Sequence, residues 1–131
     1  MDIASFDDLL RAARSQPRPQ RLLFVFAAAV MPDAPTPAQR AAFEAGEGGA
    51  LEPLMCVDKS PDDLAGWDAL LAESRAAGPA WQVVFVAAMD AADARATDAA
   101  LERLVAAVRE GRLAGLLPLD RQGRVLDLQQ G

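Results

Sequence analysis

The sequence predicts an α/β domain in which helices cover a mixed sheet of about five strands. Two apolar runs rich in Val and Phe, residues 22–28 and 83–88, are typical of strands that are buried on both faces. Segments with helical spacing of apolar residues precede and follow each run. Because 131 residues is an ordinary length for one domain, we predict a single domain over residues 1–131.

An internal duplication supports this organisation. A shift of 61 positions places residues 5–10 on residues 66–71 and residues 22–25 on residues 83–86. Two copies are too few for an open solenoid, so the sequence predicts one compact body made of two related halves. The halves are residues 1–60 and 61–131, and each is predicted to contain a helix, a strand, a helix and a strand.

Local signals locate the elements of the first half. They are a helix after the N-cap Ser5, a strand at residues 22–28, a helix at residues 37–45 and a strand at residues 51–57. Thr36 and Gln39 form the pattern of a capping box, with proline at the first helical position. Pro53 lies within the second strand and favours the edge of a sheet, because proline has no N–H to donate.

The second half repeats the pattern. Its elements are a helix opened by Ser60-Pro61 and closed by Gly78-Pro79, a strand at residues 83–88, a helix capped by Thr97 and ending at Gly111, and a strand at residues 113–119. Pro118 again indicates limited pairing of the last of these strands. The alternation of charged and apolar residues at 124–128, after a turn at residues 120–123, predicts a C-terminal hairpin and a fifth strand.

The character of the strands also predicts their order. The first and third strands are apolar throughout and belong in the middle of the sheet, whereas the two strands that contain proline belong outside. The order 2-1-3-4-5 satisfies these conditions and places a pseudo-two-fold axis between the first and third strands. That axis makes those two strands antiparallel within a mixed sheet, with four amphipathic helices covering its faces.

The composition excludes several classes of function. The chain has no histidine, which excludes Ser-His and Cys-His nucleophiles, and its single cysteine, Cys56, excludes an internal disulfide and a multi-thiolate metal site. We therefore expect no catalytic residues, metal or cofactor. A net charge of −6 argues against nucleic-acid binding. We expect a cytoplasmic protein, because no signal sequence is evident and the longest apolar run is shorter than the roughly 20 residues that cross a bilayer.

A glycine-rich run is the best candidate for a ligand loop. Gly46-Glu47-Gly48-Gly49 would let backbone N–H groups approach an anion, with Asp58 and Lys59 at the end of the following strand. A helix C-cap and turn is the simpler explanation, because phosphate loops precede a helix and Glu47 adds the wrong charge. Turn and capping chemistry likewise accounts for Asp58 and Lys59.

Two further side chains are candidates for chemistry or for contact. Cys56 lies near the start of a helix, where the pKa of a thiol can be lowered, but an isolated cysteine in a strand is usually part of the core, and we favour the core. Trp81 lies just before a strand and is the aromatic residue that we most expect to be partly exposed. An exposed tryptophan would contribute to an interaction surface.

The run of residues 46–59, together with residues 5–10 and 81–85, resembles a family of small proteobacterial proteins over nearly the whole chain. Its members are often named as ribonucleotide reductase alpha subunits. True alpha subunits use several redox cysteines within a large barrel domain, whereas this chain has Cys56 alone. The resemblance therefore implies a lineage and no catalytic residue.

These observations favour a non-catalytic interaction or regulatory module. Reactive groups are few and the fold is well specified, while sheet edges are available to an unidentified protein partner or to a second copy in a homodimer. The alternative is a protein that binds a small ligand or an anion, or a small enzyme, using residues 46–49 with Asp58 and Lys59.

Overall fold

The computed structural model describes residues 3–30, 34–44 and 50–126. Its helices are α1 (Phe6–Arg14), α2 (Pro37–Glu44), α3 (Trp67–Ala77) and α4 (Ala94–Arg109). Its strands are β1 (Gln20–Val30), β2 (Ala50–Lys59), β3 (Val83–Asp90) and β4 (Leu117–Leu119). Within these residues, no helix combines the length and apolar character needed to cross a membrane.

The four strands form one sheet in the order β2-β1-β3-β4, and each neighbouring pair is antiparallel. The predicted order of the first four strands and the antiparallel pairing of β1 with β3 are confirmed. The prediction of a mixed sheet is wrong, because the chain direction reverses between every two neighbours. The fifth strand is also wrong for the described residues: Val125 makes a single bridge to Leu119, and residues 127–131 lie outside the described ranges.

Two apolar layers lie on opposite faces of the sheet because successive residues of β1 point to opposite sides. Phe24 and Phe26 pack against α1 and α3 on one face. Leu23 and Val25 pack against α4 on the other face. The unbroken apolar run in β1 therefore reflects burial on both faces, as the sequence predicts.

The described side chains of α2 do not share in this packing. Residues 37–41 and Glu44 are exposed. The prediction that all four helices cover the sheet is therefore supported for α1, α3 and α4 only. The capping box at the start of α2 is nevertheless confirmed, since Thr36 Oγ1 accepts from the Gln39 N–H at 3.1 Å and Gln39 Oε1 accepts from the Thr36 N–H at 2.9 Å.

The predicted cap of α4 is wrong by one helical turn. Asp93 is the N-cap residue, and its Oδ1 accepts a hydrogen bond from the Ala96 N–H at 2.8 Å. Thr97 is buried inside the first turn, where its hydroxyl donates to the Asp93 carbonyl at 2.9 Å. Threonine and aspartate both favour N-caps, so the sequence offers two starting points for this helix.

The single helix predicted from Ser60 to Gly78 is two elements. A short 3₁₀ turn occupies Pro61–Asp63, and Leu64 then adopts an extended conformation. Gly66 has a φ of +140°, which favours glycine, and α3 begins after it. Arg14 Nη2 fixes this break by donating to the carbonyls of Pro61 at 3.1 Å and Leu64 at 3.3 Å.

The N-terminal and C-terminal parts of the described chain meet beside β4. The Phe6 N–H donates to the Gly123 carbonyl at 2.8 Å, and the Val125 N–H donates to the Ala4 carbonyl at 2.9 Å. The Leu126 N–H donates to the Pro118 carbonyl at 2.9 Å. The outer side of β4 is therefore covered by residues 124–126, which are in turn bonded to residues 4–6.

We expect Gly123→Ala to destabilise the domain more than Gly111→Ala. Both glycines have a left-handed φ, of +78° and +74° respectively, so each alanine carries the same backbone penalty. A Cβ at Gly123 would also lie 2.8 Å from the Trp67 ring, whereas nothing lies within 4 Å of one at Gly111. The free energy of unfolding in urea should fall by about 1 kcal/mol for Gly111→Ala and by about 2–4 kcal/mol for Gly123→Ala. Equal losses would contradict a constraint from Trp67.

Candidate functional site

The predicted ligand loop lies outside the residues that the structure describes. Residues 46–49 lie outside the described ranges, so of that candidate site only Asp58 and Lys59 are placed. They are consecutive in β2 and point to opposite faces of the sheet. Asp58 Oδ2 accepts from Arg21 Nε at 2.6 Å, and Lys59 Nζ donates to Glu73 Oε1 at 2.7 Å. The structure therefore does not bring the two side chains together.

The expectation that Trp81 is partly exposed is wrong. The side chain is 2 % exposed and packs edge-on against Phe26, with the two ring centroids 5.0 Å apart. Its indole N–H donates to Ser74 Oγ at 2.9 Å, and the serine is itself buried. A buried donor with a partner needs no contact with water. Trp81 thus belongs to the layer between the sheet and α3, and it is not available to an interaction surface.

Cys56 is exposed, so its expected place in the core is wrong. It lies opposite Val25 in an edge strand, on the side of the sheet that α4 covers. Partial burial raises the pKa of the Cys56 thiol, and the negative charge of Asp58 raises it further. Because the thiolate is the nucleophile, these surroundings disfavour the reactivity that a lowered pKa would give. Cys56 is accessible but not activated.

The remaining acidic side chains of the described chain do not form a metal centre. Within residues 3–30, 34–44 and 50–126, no group of three His, Cys, Asp or Glu side chains is arranged to hold an ion. Asp8 illustrates their role, since it accepts from the Ala4 N–H at 3.0 Å at the start of α1. This hydrogen bond and the nearby Arg11 charge lower the pKa of Asp8, despite a smaller opposing effect of desolvation.

The feature with most functional potential is the outer side of β2. Carbonyls of β1 at Pro19 and Ala27 accept from the Ala91 and Gln82 N–H groups, each at 2.9 Å, so odd-numbered residues of β1 direct their peptide groups toward β3. Even-numbered residues of β1 therefore pair with β2. No strand of the described chain lies on the other side of β2.

The register then identifies the peptide groups that face outward from β2. Even-numbered Phe24 lies opposite Val57, so Val57 directs its peptide groups to β1, and Cys56 and Asp58 direct theirs away from the sheet. A bulge at Leu54 shifts the register, so on its N-terminal side the peptide groups of Leu51 and Pro53 face outward. Pro53 therefore removes no hydrogen bond from the ladder, which explains how a proline fits in a ten-residue strand.

A groove borders this open edge on each face of the sheet. On one face, a groove of about 230 Å³ is lined mainly by Met55 and Val57 of β2 and by Leu70 and Ala77 of α3. On the other face, a groove of about 500 Å³ separates Cys56 from one side of α4. Side chains of an added strand would point alternately toward these two grooves.

Ser74→Ala should destabilise the domain, because it leaves the buried Trp81 N–H without its acceptor at 2.9 Å. We expect the free energy of unfolding in urea to fall by about 1–3 kcal/mol. In the double variant Ser74→Ala, Trp81→Phe the two losses should be less than additive, because the second change removes the orphaned donor. Ser15→Ala is the control, since its hydroxyl bonds an exposed carbonyl at Ala12, and its loss should add to that of Trp81→Phe. Full additivity would contradict the coupling.

The alkylation rate of Cys56 by iodoacetamide should rise with pH at a midpoint above that of cysteine in a short peptide. The reason is that burial and the Asp58 charge both raise the pKa of this thiol. Asp58→Asn should lower the midpoint by removing the negative charge, whereas Asp62→Asn, the same change at an exposed position outside β2, should leave it in place. A wild-type midpoint below that of the peptide would show an activated thiol instead.

Neither a protein-family model, nor a curated protein, nor a solved structure matches this chain. The similarity to small proteobacterial proteins therefore stays a prediction from the residues that carry it. The feature of the described residues that bears most directly on function is the unpaired outer side of β2.

Proposed function

We propose that this chain is a non-catalytic protein-interaction module that binds by accepting a partner strand along the outer side of β2. The observation that carries the proposal is the outward direction of the peptide groups of Cys56 and Asp58, beside which the described chain supplies no strand. Peptide N–H and C=O groups on such an edge are ready to pair with another strand.

The contrast between the two edges of the sheet supports this proposal. β4 has only three residues, and its outer Pro118 carbonyl is already bonded to Leu126. β2 has ten residues and, among the described strands, pairs only with β1. Protein sheets commonly protect their edges with short strands or by covering them. The β4 edge has both kinds of protection. In β2, the bulge at Leu54 and the outward-facing Pro53 limit pairing along the first part of the strand. The open segment among the described residues is the part from Met55 to Lys59, which favours a role in binding for that part.

The proposed internal duplication is consistent with β2 as the binding edge. Halves at residues 1–60 and 61–131, related by an axis between β1 and β3, would make β2 and β4 equivalent edges, and the sheet order is the one that such an axis generates. The covering of β4 by residues 124–126, which are bonded to residues 4–6, then leaves β2 as the edge for a partner. The partner within the cytoplasm is proposed to be a second copy in a homodimer or another protein.

The chemistry of the described side chains supports a role without catalysis. The chain has no histidine to act as a general base near neutral pH. The surroundings of Cys56 raise the pKa of its thiol. Asp58 and Lys59 are engaged in separate ion pairs on opposite faces. The described residues thus supply binding surfaces more readily than they supply a nucleophile with its base.

Cys56→Pro tests the proposal. The substitution removes an N–H that points away from β1, so the sheet should stay intact while the addition of a partner strand is blocked. Pro53 shows that β2 tolerates a proline whose peptide faces outward. Immobilised wild type, Cys56→Pro and the matched control Cys56→Ala are exposed to the purified chain and to native cytoplasmic extract. We expect the wild type and Cys56→Ala to retain a bound protein, and Cys56→Pro to lose at least nine-tenths of it.

Unfolding curves decide whether Cys56→Pro keeps its fold. If that variant is unfolded, Cys56→Lys takes its place, because a lysine on an edge strand opposes pairing while leaving the backbone unchanged. Equal retention by the blocked variant and the alanine control would overturn the proposal, and so would the failure of the wild type to retain any protein.

A further inference from the structure

One side of α4 borders the open edge and carries charges of both signs. The side chains that line the groove beside Cys56 are those of Asp98, Leu101, Glu102, Val105, Ala106 and Arg109. Leu101 and Val105 are half-buried, whereas Asp98, Glu102 and Arg109 are exposed. Within the part of the chain that the structure describes, none of these three charges belongs to an ion pair.

The two ends of this side of α4 carry charges of opposite sign. Asp98 lies at the N-terminal end of the stripe, Glu102 lies near its middle and Arg109 lies at its C-terminal end, with Leu101, Val105 and Ala106 between these charges. Asp98 and Arg109 are about 16 Å apart along the helix axis, at 1.5 Å per residue, so they do not pair within one molecule. Such a stripe is complementary to its own copy when the copy runs in the opposite direction.

A two-fold axis through the open edge produces that opposite direction. Pairing of β2 with β2 of a second copy in antiparallel fashion requires an axis perpendicular to the sheet. The same axis keeps both α4 helices on one face and makes them antiparallel. Each Asp98 then lies at the end of the contact where the other molecule presents Arg109, and the contact occurs twice.

The opposite face of the sheet is also complementary to its own copy. Met55 and Val57 are half-buried beside α3 and line the apolar groove at the edge. In the antiparallel pair, these side chains meet the same side chains of the second copy. Burial of apolar area against apolar area favours this arrangement, because it removes apolar surface from water.

From these observations we infer that the strand that β2 accepts is β2 of a second copy, and that the α4 stripe from Asp98 to Arg109 forms the other half of a two-fold interface. The inference rests on the proposed function of the β2 edge and names its partner. Oppositely charged ends that pair in one orientation, beside the half-buried Leu101 and Val105, favour a second copy in the antiparallel orientation as the occupant.

Charge reversal tests the inference in the full-length purified chain. Asp98→Lys and Arg109→Asp each place like charges at both ends of the contact, and each should raise the dimer Kd about tenfold in sedimentation velocity at micromolar concentration. An equimolar mixture of the two variants should recover the wild-type Kd, because the heterodimer contains one native pair and one reversed pair. Arg103→Asp is the control, since it makes the same charge change on another side of α4 and should leave the Kd unchanged.

Several outcomes would overturn the inference. They are a wild-type chain that stays monomeric up to hundreds of micromolar, a Kd that neither reversal changes, and a mixture that does not recover. If the purified chain is monomeric but the immobilised chain retains a different protein, and Cys56→Pro loses that protein, the proposed function stands and this inference is wrong. If dimerisation persists in folded Cys56→Pro, the β2 edge is not the binding element and the proposed function itself is wrong.

Discussion

The central strand β1 satisfies two demands at once, and the rest of the structure is arranged around it. Its odd-numbered residues bond to β3 and its even-numbered residues bond to β2, so that its polar backbone is paired on both sides. Its side chains enter an apolar layer rich in aromatic rings under α1 and α3 on one face and a mainly aliphatic layer, which includes Phe85, under α4 on the other. A strand of this kind must lie inside a sheet, because exposure of either its backbone or its side chains would be unfavourable.

This arrangement explains why functional potential is found at the periphery. The interior of the described chain is apolar and its buried polar groups are paired, as in the contact between the Trp81 indole and Ser74. Within the described residues, backbone groups without a partner strand are found on the outer side of β2, where Cys56 and Asp58 direct their peptide groups away from the sheet. The binding role proposed for that side rests on the backbone and does not depend on a particular reactive side chain.

Much of the fold follows from signals that act locally or through the whole strand. Pro53 and Pro118 identify the edge strands because a missing donor is tolerated only there, and Ser5 and Thr36 begin helices through hydrogen bonds within one turn. The exposure of Cys56 and the burial of Trp81 could not be predicted in this way. Both depend on which elements lie above the sheet, and the order of residues along one strand does not contain that information. The α4 stripe could not be predicted for the same reason. Its position at the edge of the sheet is known only from the fold, which places it beside Cys56.

The covering of β4 by residues 4–6 and 124–126 also bears on the size of an assembly that forms through β2. A sheet with two accessible borders can grow without end, as fibres do, whereas a sheet with a single accessible border stops growing once that border is occupied. In the described part of this molecule, the hydrogen bonds from Phe6 to Gly123 and from Leu126 to Pro118 occupy one border. If the chain associates through β2 as proposed, these contacts far from β2 would favour a finite assembly over a polymer.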